Sequence, residues 1–534
     1  MTTTPFPTST NHPVRHPPSW WAGAIAGMAA GGTALAVGEL AGALAAPKPG
    51  PVIAVSNRVI EHAPVWFVNF GKQVFGLADK PALIAGTLIL SILFAAGLGV
   101  ISLRSRVVGV AGIAAFGVLG LIAMGVDPQG GWVYAAAVSL AAVVAGVVSL
   151  LALLRRVPRN EVPDLENPIS ARPVERRTFL GWAAAMAAAI GAVAVGANQL
   201  RGRAAVESAR DEVELPTEVG EAEIQAQVSA AVASEVANTP GIADLITPND
   251  EFYLIDTATL VPQVDPSSWE LTIKGMVDRE VTYTYDDLLA RASTIAPVTL
   301  SCVSNEVGGQ LVGNAVWQGV PLSELLDEAG VQTGATQIRS QSVDGWDCGF
   351  PTDAAFDGRT ALVAIAMNGE PLPVDHGFPA RLVVSGLYGY VSATKWLKEI
   401  ELTTWEAFDG FWIPRGWSKS GPIKTQSRID TPRNGETISS SGAAVPIAGV
   451  AWAPNLGIER VEVQIDDGDW FEATLGESLG DDSWLQWSLA WTPTPGQHRI
   501  RVRATDGTGE TQTSEVARPA PNGASGWHTI TVKA

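Results

Sequence analysis

Residues 367–381 read MNGEPLPVDHGFPAR, a loop-like sequence that carries a histidine and ends on an arginine. His376 stands beside Asp375, where a lone histidine is more often a structural hydrogen-bonding residue than a ligand. Arg381 opens the apolar run 382–384, a position from which arginine usually extends toward solvent. Taken singly, neither residue indicates a functional site. Whether they form one depends on the other chemically active side chains of the chain.

A second informative stretch is Thr299-Leu300-Ser301-Cys302, which ends a short apolar strand pattern just before a glycine-rich turn. Cys302 is one of only two cysteines in 534 residues. A thiolate is both a soft metal ligand and a strong nucleophile, so this position suits chemistry better than bulk packing. The other cysteine, Cys348, is open to three interpretations: a small buried residue, a group behind the site, or a disulfide partner of Cys302.

Four segments between residues 247 and 428 carry the chemistry-bearing side chains, namely 247–253, 299–305, 367–381 and 386–396. Together they supply a thiolate, a histidine, an arginine and a lysine on turns between strands, with glycines that permit close backbone approach. Strand-like and helix-like patterns are mixed here, which predicts an α+β domain. This set of groups suits a large anionic, phosphate-bearing cofactor whose metal needs one protein sulfur.

The stretch from about 247 to 428 resembles the oxidoreductase molybdopterin-binding domain of the sulfite oxidase family, including bacterial catalytic subunits of the periplasmic methionine sulfoxide reductase type. The motif at 367–381 carries the resemblance most strongly. The resemblance implies a molybdenum–molybdopterin cofactor and two-electron oxygen-atom transfer on a small-molecule substrate. It also implies that Cys302 is the metal ligand and the catalytic residue. The cofactor contacts that it implies are Asn249, Phe252, Tyr253, Cys302, Ser342, His376, Arg381, Ser392 and Lys395.

Three departures from the family pattern concern the substrate. Sulfite-oxidising members carry two arginines where this chain has Glu306-Val307. They carry an Arg-Asn-His sequence where this chain has residues 254–257, and an active-site tyrosine in the region of Arg415-Gly416-Trp417. A carboxylate near the cysteine would repel sulfite, so the sequence favours a neutral or cationic substrate, or reduction of an S-oxide or N-oxide. The alternatives are a sulfite dehydrogenase, and a non-catalytic tethered scaffold whose cofactor domain has decayed.

The first 200 residues have the composition of a membrane domain. They hold 13 lysines and arginines against 8 acidic residues, a net of +5, so the total of −19 leaves −24 for the remainder. Each of five apolar runs comes close to the roughly 20 residues that cross a bilayer as a helix. They lie at about 20–46, 81–103, 106–126, 131–154 and 178–197. We therefore expect a five-helix transmembrane domain at 1–200.

Arginines between the runs predict the orientation of this domain. Arg104, Arg106 and the six arginines of residues 155–177 mark cytoplasmic loops, whereas residues 127–130 carry no positive charge. With five crossings, residues after about 200 lie outside the cytoplasm. Arg176-Arg177 before the last run resembles a twin-arginine export signal, although ordinary positive charge before a helix explains it equally well.

The acidic remainder divides into three parts. Residues 201–243 are polar and predict an acidic, partly helical tether, followed by the molybdopterin-binding domain at 244–430. Residues 431–534 contain short strand patterns between turns, which predict an immunoglobulin-like β-sandwich. The family resemblance implies that this last domain mediates homodimerisation. The fold class is therefore multi-domain, with an all-α transmembrane bundle, a sulfite-oxidase-type α+β domain and a β-sandwich.

The same sequence features bear on partners. An acidic extramembrane part has nothing to replace the counterions of a nucleic-acid backbone, so nucleic acid is excluded as a partner. The predicted crossings contain no histidine, since His62 falls between the first two runs, and no Cys-x-x-Cys-His haem motif occurs. We therefore expect a separate electron-transfer partner.

Overall fold

The computed structural model describes residues 20–45, 48–64, 79–156, 203–216, 221–439 and 442–534, with isolated positions between 64 and 79 and at 181. The chain divides into two compact units. One comprises residues 1–203 with 258–263, and the other comprises residues 204–257 with 264–534.

The first unit is helical. Its helices are α1 (Trp20–Leu44), α2 (Pro51–His62), α3 (Asp79–Ser102), α4 (Arg106–Val126) and α5 (Trp132–Leu154). Within the described residues, four of them (α1, α3, α4 and α5) are long and apolar enough to span a membrane. The fifth predicted crossing, 178–197, and the Arg176-Arg177 motif lie outside the described residues.

Helices α1 and α3 pack closely because small residues line their contact. A Cβ atom on Gly27 would lie 2.0 Å from the backbone oxygen of Ala95, and one on Gly99 would lie 2.1 Å from that of Gly23. Any larger side chain at these positions would force the two helices apart. Contacts between small residues are the usual way in which apolar helices associate in lipid.

The sequence did not predict helix α2. Its residues, His62 included, fall between the first two apolar runs, where a loop was expected. Pro51 supplies the preset backbone angle of a first helical residue. Glu39 of α1 accepts a hydrogen bond from the backbone N–H of Val52 (2.8 Å), and Asn57 donates to Asp127 (2.9 Å). These polar contacts tie the short helix to the bundle, and His62 is its last residue.

The second unit begins with helices α6 (Arg203–Asp211) and α7 (Glu221–Val232) inside the predicted tether. Two five-stranded sheets follow, in the orders β2-β1-β10-β5-β6 and β3-β4-β7-β8, with β9 also pairing β7. Their strands are β1 (Glu270–Gly275), β2 (Val281–Thr284), β3 (Thr294–Ser301), β4 (Val312–Pro321), β5 (Gln337–Ser342), β6 (Asp347–Pro351), β7 (Ala361–Met367), β8 (Glu370–Pro371), β9 (Arg381–Val384) and β10 (Leu397–Thr403). The helices among them are α8 (Tyr285–Leu289), α9 (Leu322–Ala329) and α10 (Gly389–Ser392).

Two four-stranded sheets form the C-terminal sandwich, in the orders β11-β12-β16-β15 and β14-β13-β17-β18. The strands are β11 (Gln426–Thr431), β12 (Val445–Trp452), β13 (Ile458–Ile465), β14 (Trp470–Glu472), β15 (Thr474–Leu475), β16 (Leu485–Trp491), β17 (Gln497–Asp506) and β18 (His528–Lys533). The core between the sheets is built on fully buried Ile447, Val463, Trp487 and Val502. The predicted multi-domain fold class is confirmed.

The sandwich also holds strand β3 in place. The backbone N–H of Trp484, just before β16, donates to Thr299 Oγ1 (2.7 Å), and its indole N–H donates to the Leu245 carbonyl (2.7 Å). Asn314 of β4 donates to the same carbonyl (2.9 Å) and to Ser483 (2.8 Å). These buried bonds fix the strand that leads directly into Cys302.

Candidate cofactor site

A cavity in the second unit brings together seven of the nine residues predicted to contact the cofactor. These seven are Phe252, Tyr253, Cys302, Ser342, His376, Arg381 and Lys395. They come from distant parts of the sequence and reach the cavity from turns at strand ends. The remaining two predicted residues, Asn249 and Ser392, are not among those that line it.

Cys302 is the first residue after β3, and it is 8 % exposed. Its backbone N–H donates to the Leu311 carbonyl (2.9 Å), and its own carbonyl accepts from Asn305 N–H (2.9 Å). The Ser304 N–H points at the sulfur from 3.4 Å. A backbone N–H directed at sulfur stabilises a thiolate, which is the form that ligates metals.

His376 ends a short turn, Val374–His376, and is 3 % exposed. Its Nε2 lies 2.8 Å from the carbonyl oxygen of Asn249. A carbonyl can only accept, so Nε2 carries the hydrogen and donates. Burial lowers the pKa of His376 to about 4, so the ring is neutral at neutral pH. Asn249 thus supports the cavity by orienting His376, without lining it.

The surroundings of Arg381 indicate whether the cavity is suited to an anionic group. The guanidinium is 5 % exposed and donates to the carbonyls of His376 (3.1 Å) and Leu382 (3.4 Å). It also stacks 5.0 Å from the centroid of the Trp317 ring. Burial lowers its pKa to about 10, and no carboxylate pairs with it in the part of the chain that the structure describes. A buried cation that lines a cavity without a carboxylate partner fits a phosphate-bearing cofactor.

Lys395 is held by protein groups on the same cavity. Its ammonium donates to Asp256 (2.6 Å) and to the Asp375 carbonyl (3.0 Å), and it lies 4.5 Å from the centroid of the Trp396 ring. Asp256 therefore sits where the resemblance puts a phosphate contact. An anionic group approaching Lys395 would share or replace that carboxylate.

Ser392 is fully buried at the end of α10, and its hydroxyl donates to the carbonyls of Leu387 (3.3 Å) and Tyr388 (3.2 Å). These bonds occupy its single hydrogen within its own turn. Ser342, by contrast, lines the cavity as the last residue of β5.

Several lining residues did not follow from the sequence. Asp344, Trp346, Tyr390 and Trp412 all line the cavity. Burial raises the pKa of Asp344, whose carboxylate accepts a hydrogen bond from Trp346 N–H (3.1 Å). The Asp344-Gly345-Trp346 turn directly after a strand was the available signal, because functional groups concentrate on such turns.

Glu306, which the sequence placed near the substrate, is exposed and does not line the cavity. Arg415 is also absent from the lining residues. The carboxylates that do line it are Asp256 and Asp344. The acidic character that the sequence assigned to Glu306 therefore comes from other residues.

Cys348 is not disulfide-bonded to Cys302. It lies on β6, fully buried, with its sulfur 3.4 Å from the Ser340 hydroxyl and 3.3 Å from that of Thr394. Burial raises its pKa to about 12, so it remains a neutral thiol. Of the three interpretations, the disulfide is therefore excluded, and Cys348 is a small packed residue behind the cavity.

Comparison with known proteins bears on this site directly. The family model "Oxidoreductase molybdopterin binding domain" matches residues 258–412, and the model "Bacterial Ig domain" matches residues 426–502. The uncharacterized oxidoreductase YuiH of Bacillus subtilis is 34% identical over 170 residues, which are 32% of this chain and 82% of that protein.

Two longer relatives are similar over a larger part of this chain. Mitochondrial sulfite oxidase of Macaca fascicularis is 30% identical over 48% of this chain and 55% of its own length. The NADH nitrate reductase of Solanum lycopersicum is 29% identical over 47% of this chain and 34% of its own length. The chain thus spans about half, or less, of these relatives.

Fold, site and family models together define a molybdenum-dependent oxidoreductase with a molybdopterin cofactor. More particularly, the chain belongs to the sulfite oxidase family of molybdopterin-binding oxidoreductases.

Proposed function

We propose that this chain is a membrane-anchored oxidoreductase whose cofactor-binding unit works outside the cytoplasm, on a substrate other than sulfite. The observation that carries the proposal is the cavity beside Cys302, where buried Arg381 suits an anionic cofactor and Asp256 and Asp344 face the remaining space. When bound, the molybdenum cofactor supplies two-electron redox chemistry with oxygen-atom transfer.

The residues of the chain have separate roles in this proposal. Cys302 provides the protein sulfur to the metal, while Arg381 and Lys395 offset the charge of the phosphate. His376 donates from Nε2 to Asn249 and keeps its ring in one orientation at the cavity wall. Phe252 packs edge-on against that ring, with ring centroids 5.6 Å apart, and helps to exclude water.

The charge of the cavity supports the exclusion of sulfite. Its two lysine and arginine side chains, Lys395 and Arg381, are the ones that suit the cofactor, so the lining residues supply no further lysine or arginine for a second anion. Trp346, Tyr390 and Trp412 add aromatic surface. A neutral or cationic S-oxide or N-oxide satisfies this environment better than a dianion.

Steady-state kinetics tests the substrate. The loaded full chain should reduce an aryl methyl sulfoxide or an amine N-oxide, with a reduced viologen as electron donor, and should leave sulfite nearly untouched. Sulfite oxidation with a larger kcat/KM than either reduction would reject this part of the proposal.

The membrane position rests on the four apolar helices and on the arginines between them. Alkaline carbonate washing should leave the full chain in the membrane fraction. In sealed inside-out vesicles, residues beyond about 204 should resist added protease, whereas cleavage of that unit would place it in the cytoplasm.

Export through the twin-arginine route is a separate part of the proposal. Replacing both Arg176 and Arg177 by Lys keeps the positive charge but removes the arginine pair. The double variant should leave the second unit on the cytoplasmic side. Normal export of that variant would mean that the arginines act only as ordinary positive charge.

Two partners complete the proposal: a separate electron-transfer protein, and a second copy of the chain bound through the C-terminal sandwich. The electron-transfer protein follows from the lack of a haem motif in the sequence, and the second copy follows from the family resemblance. Mass measurement of the detergent-solubilised chain tests the dimer, because deletion of residues 431–534 should yield a monomer.

A further inference from the structure

The helical unit contains a cavity of about 700 Å³, separate from the cofactor site. Its walls come from all five helices and are almost entirely apolar, with Leu35, Val52, Leu98 and Val143 among them. This volume lies within the range of sites that bind small organic molecules.

The cavity reaches the outer surface of the bundle. Three of its lining residues, Phe94, Leu119 and Ile122, are 50 %, 60 % and 47 % exposed on the unit. In a membrane, that surface faces lipid. A lipid-soluble molecule could therefore enter sideways, without crossing water.

Two hydrogen-bonding groups on the cavity lack partners among the described residues. The Ser139 side chain of α5 is 7 % exposed, and its hydroxyl makes no hydrogen bond to any described residue. The Arg58 Nε–H of α2 is also buried without an acceptor, although the other end of that guanidinium pairs with Glu61 at 2.5 Å. Both residues line the cavity. A buried donor without a hydrogen-bond acceptor costs free energy, so each of these groups is suited to an acceptor on a ligand.

A pair of aromatic rings adds a preference for shape. Phe94 and Phe116 both line the cavity and are stacked with ring centroids 5.7 Å apart and an interplanar angle of 29°. Exposed aromatic faces favour a flat ring. The ligand that matches these walls has a flat head, hydrogen-bond acceptors on that head and an apolar tail.

We infer that this cavity binds a lipid-soluble quinone with an apolar side chain. Its ring carbonyls accept from Ser139 and Arg58, its ring lies against the phenylalanine pair, and its tail follows the apolar walls. The site goes beyond the proposed oxidoreductase function, and it depends only on the proposed position of the helices in a membrane.

The test uses the full chain in nanodiscs of a synthetic phospholipid, titrated with a decyl-substituted benzoquinone and followed by the rise in unfolding temperature. The parent should bind the quinone saturably. Ser139→Ala removes one hydrogen bond and should weaken binding about three- to tenfold.

Two further variants separate binding from folding. Ser91 also lines the cavity, but its hydroxyl already donates to the Thr87 carbonyl (2.7 Å), so Ser91→Ala should bind like the parent. Gly120→Leu fills the cavity from a site where a Cβ meets only Pro51 at 3.5 Å. It should abolish binding while leaving the unfolding temperature of the quinone-free protein nearly unchanged.

The competing occupant is a lipid acyl chain. Decanol and excess phospholipid carry the tail without the ring carbonyls and should not displace the quinone. The inference would be overturned if decanol or phospholipid displaced the quinone equally well. Undiminished binding in Gly120→Leu, or no saturable binding by the parent, would also overturn it. None of these outcomes depends on whether the cofactor site is active.

Discussion

Arg381 combines two properties that rarely occur together, near-complete burial and the lack of a carboxylate partner among the described residues. A buried charge of this kind costs stability unless a ligand compensates for it. In the proposed function, cofactor binding would remove this cost, so Arg381 would contribute to the binding free energy.

Arg381→Met should have opposite effects on stability and on binding. Methionine keeps most of the packing against Trp317 and removes the buried charge, so we expect the free energy of unfolding of the cofactor-free chain to rise by about 1 to 2 kcal/mol. The pterin content of chain purified from a molybdopterin-producing host should fall several-fold. Thermal melting and pterin fluorescence after oxidation measure the two effects. A large loss of stability with unchanged pterin content would contradict the assignment, and Arg381→Lys is the matched control.

The residue types of this site could be predicted better than their contacts. The motif around His376 and Arg381 and the rare Cys302 indicated one site, because cysteine and histidine are rare in the rest of the chain. The internal hydrogen bonds of Ser392 and the pairing of Lys395 with Asp256 depend on tertiary packing, and no local pattern encodes them. Glu306 shows the same limit, since adjacency to Cys302 in sequence did not put it on the cavity.

At the scale of elements, the segment described as a tether is partly docked on the cofactor-binding domain. Arg210 of α6 donates to the carbonyls of Pro371 (2.8 Å) and Leu372 (2.9 Å) and pairs with Glu370 at 2.5 Å. Glu370 in turn accepts from Asn249 (2.8 Å), whose carbonyl orients His376. One arginine thus connects the start of the second unit with the wall of the cofactor site.

Arg210→Ala should loosen α6 and the hairpin at 367–372 together. Loss of several charge-assisted hydrogen bonds from a largely buried guanidinium should cost about 1 to 3 kcal/mol of unfolding free energy. Hydrogen exchange should rise in residues 203–216 and also around Asn249. Arg279 pairs with Glu328 but its side chain is 63% exposed, so Arg279→Ala should cost about 0.5 kcal/mol or less. Equal effects of the two substitutions would show that the contacts of α6 with the cofactor-binding domain add nothing to the free energy of unfolding.

Composition alone could not reveal this docking. Polar segments without aromatic residues usually remain linkers, and the decisive contacts of Arg210 are with backbone carbonyls, which every sequence offers. Helix α2 was missed for a related reason, since its 12 residues are fewer than a membrane crossing needs and it forms against the bundle. The long apolar helices and the sandwich strands were predictable because their periodicity is a property of the sequence itself.

At the scale of the whole molecule, acid should weaken the contact between the two sheets of the C-terminal sandwich. His528 Nδ1 accepts a hydrogen bond from the Ile429 N–H (2.9 Å), and protonation removes that acceptor. Burial, together with the charge of Arg428, lowers the pKa of His528 to about 4. Because the folded pKa lies below the ordinary value of 6.5, the stabilisation is complete above pH 6.5 and is lost as the pH falls toward 4.

We therefore expect the unfolding free energy of the second unit to fall by about 1 to 3 kcal/mol through this group between those pH values. His528→Gln keeps an acceptor for Ile429 but cannot be protonated. The loss of unfolding temperature on acidification, measured on the full chain in detergent, should be smaller in that variant. Identical pH profiles for parent and variant would exclude His528 as the responsible group.

Metal analysis tests whether this chain holds a molybdopterin cofactor with Cys302 as a ligand of the metal. Full chain purified from a host that makes molybdopterin should contain about one molybdenum and one pterin per chain, and chain from a host that lacks this synthesis should contain neither. In Cys302→Ser, X-ray absorption at the molybdenum edge should show one sulfur neighbour fewer than in the parent. A folded parent without molybdenum and pterin would exclude the cofactor, and an unchanged sulfur shell in the variant would exclude Cys302 as the metal ligand.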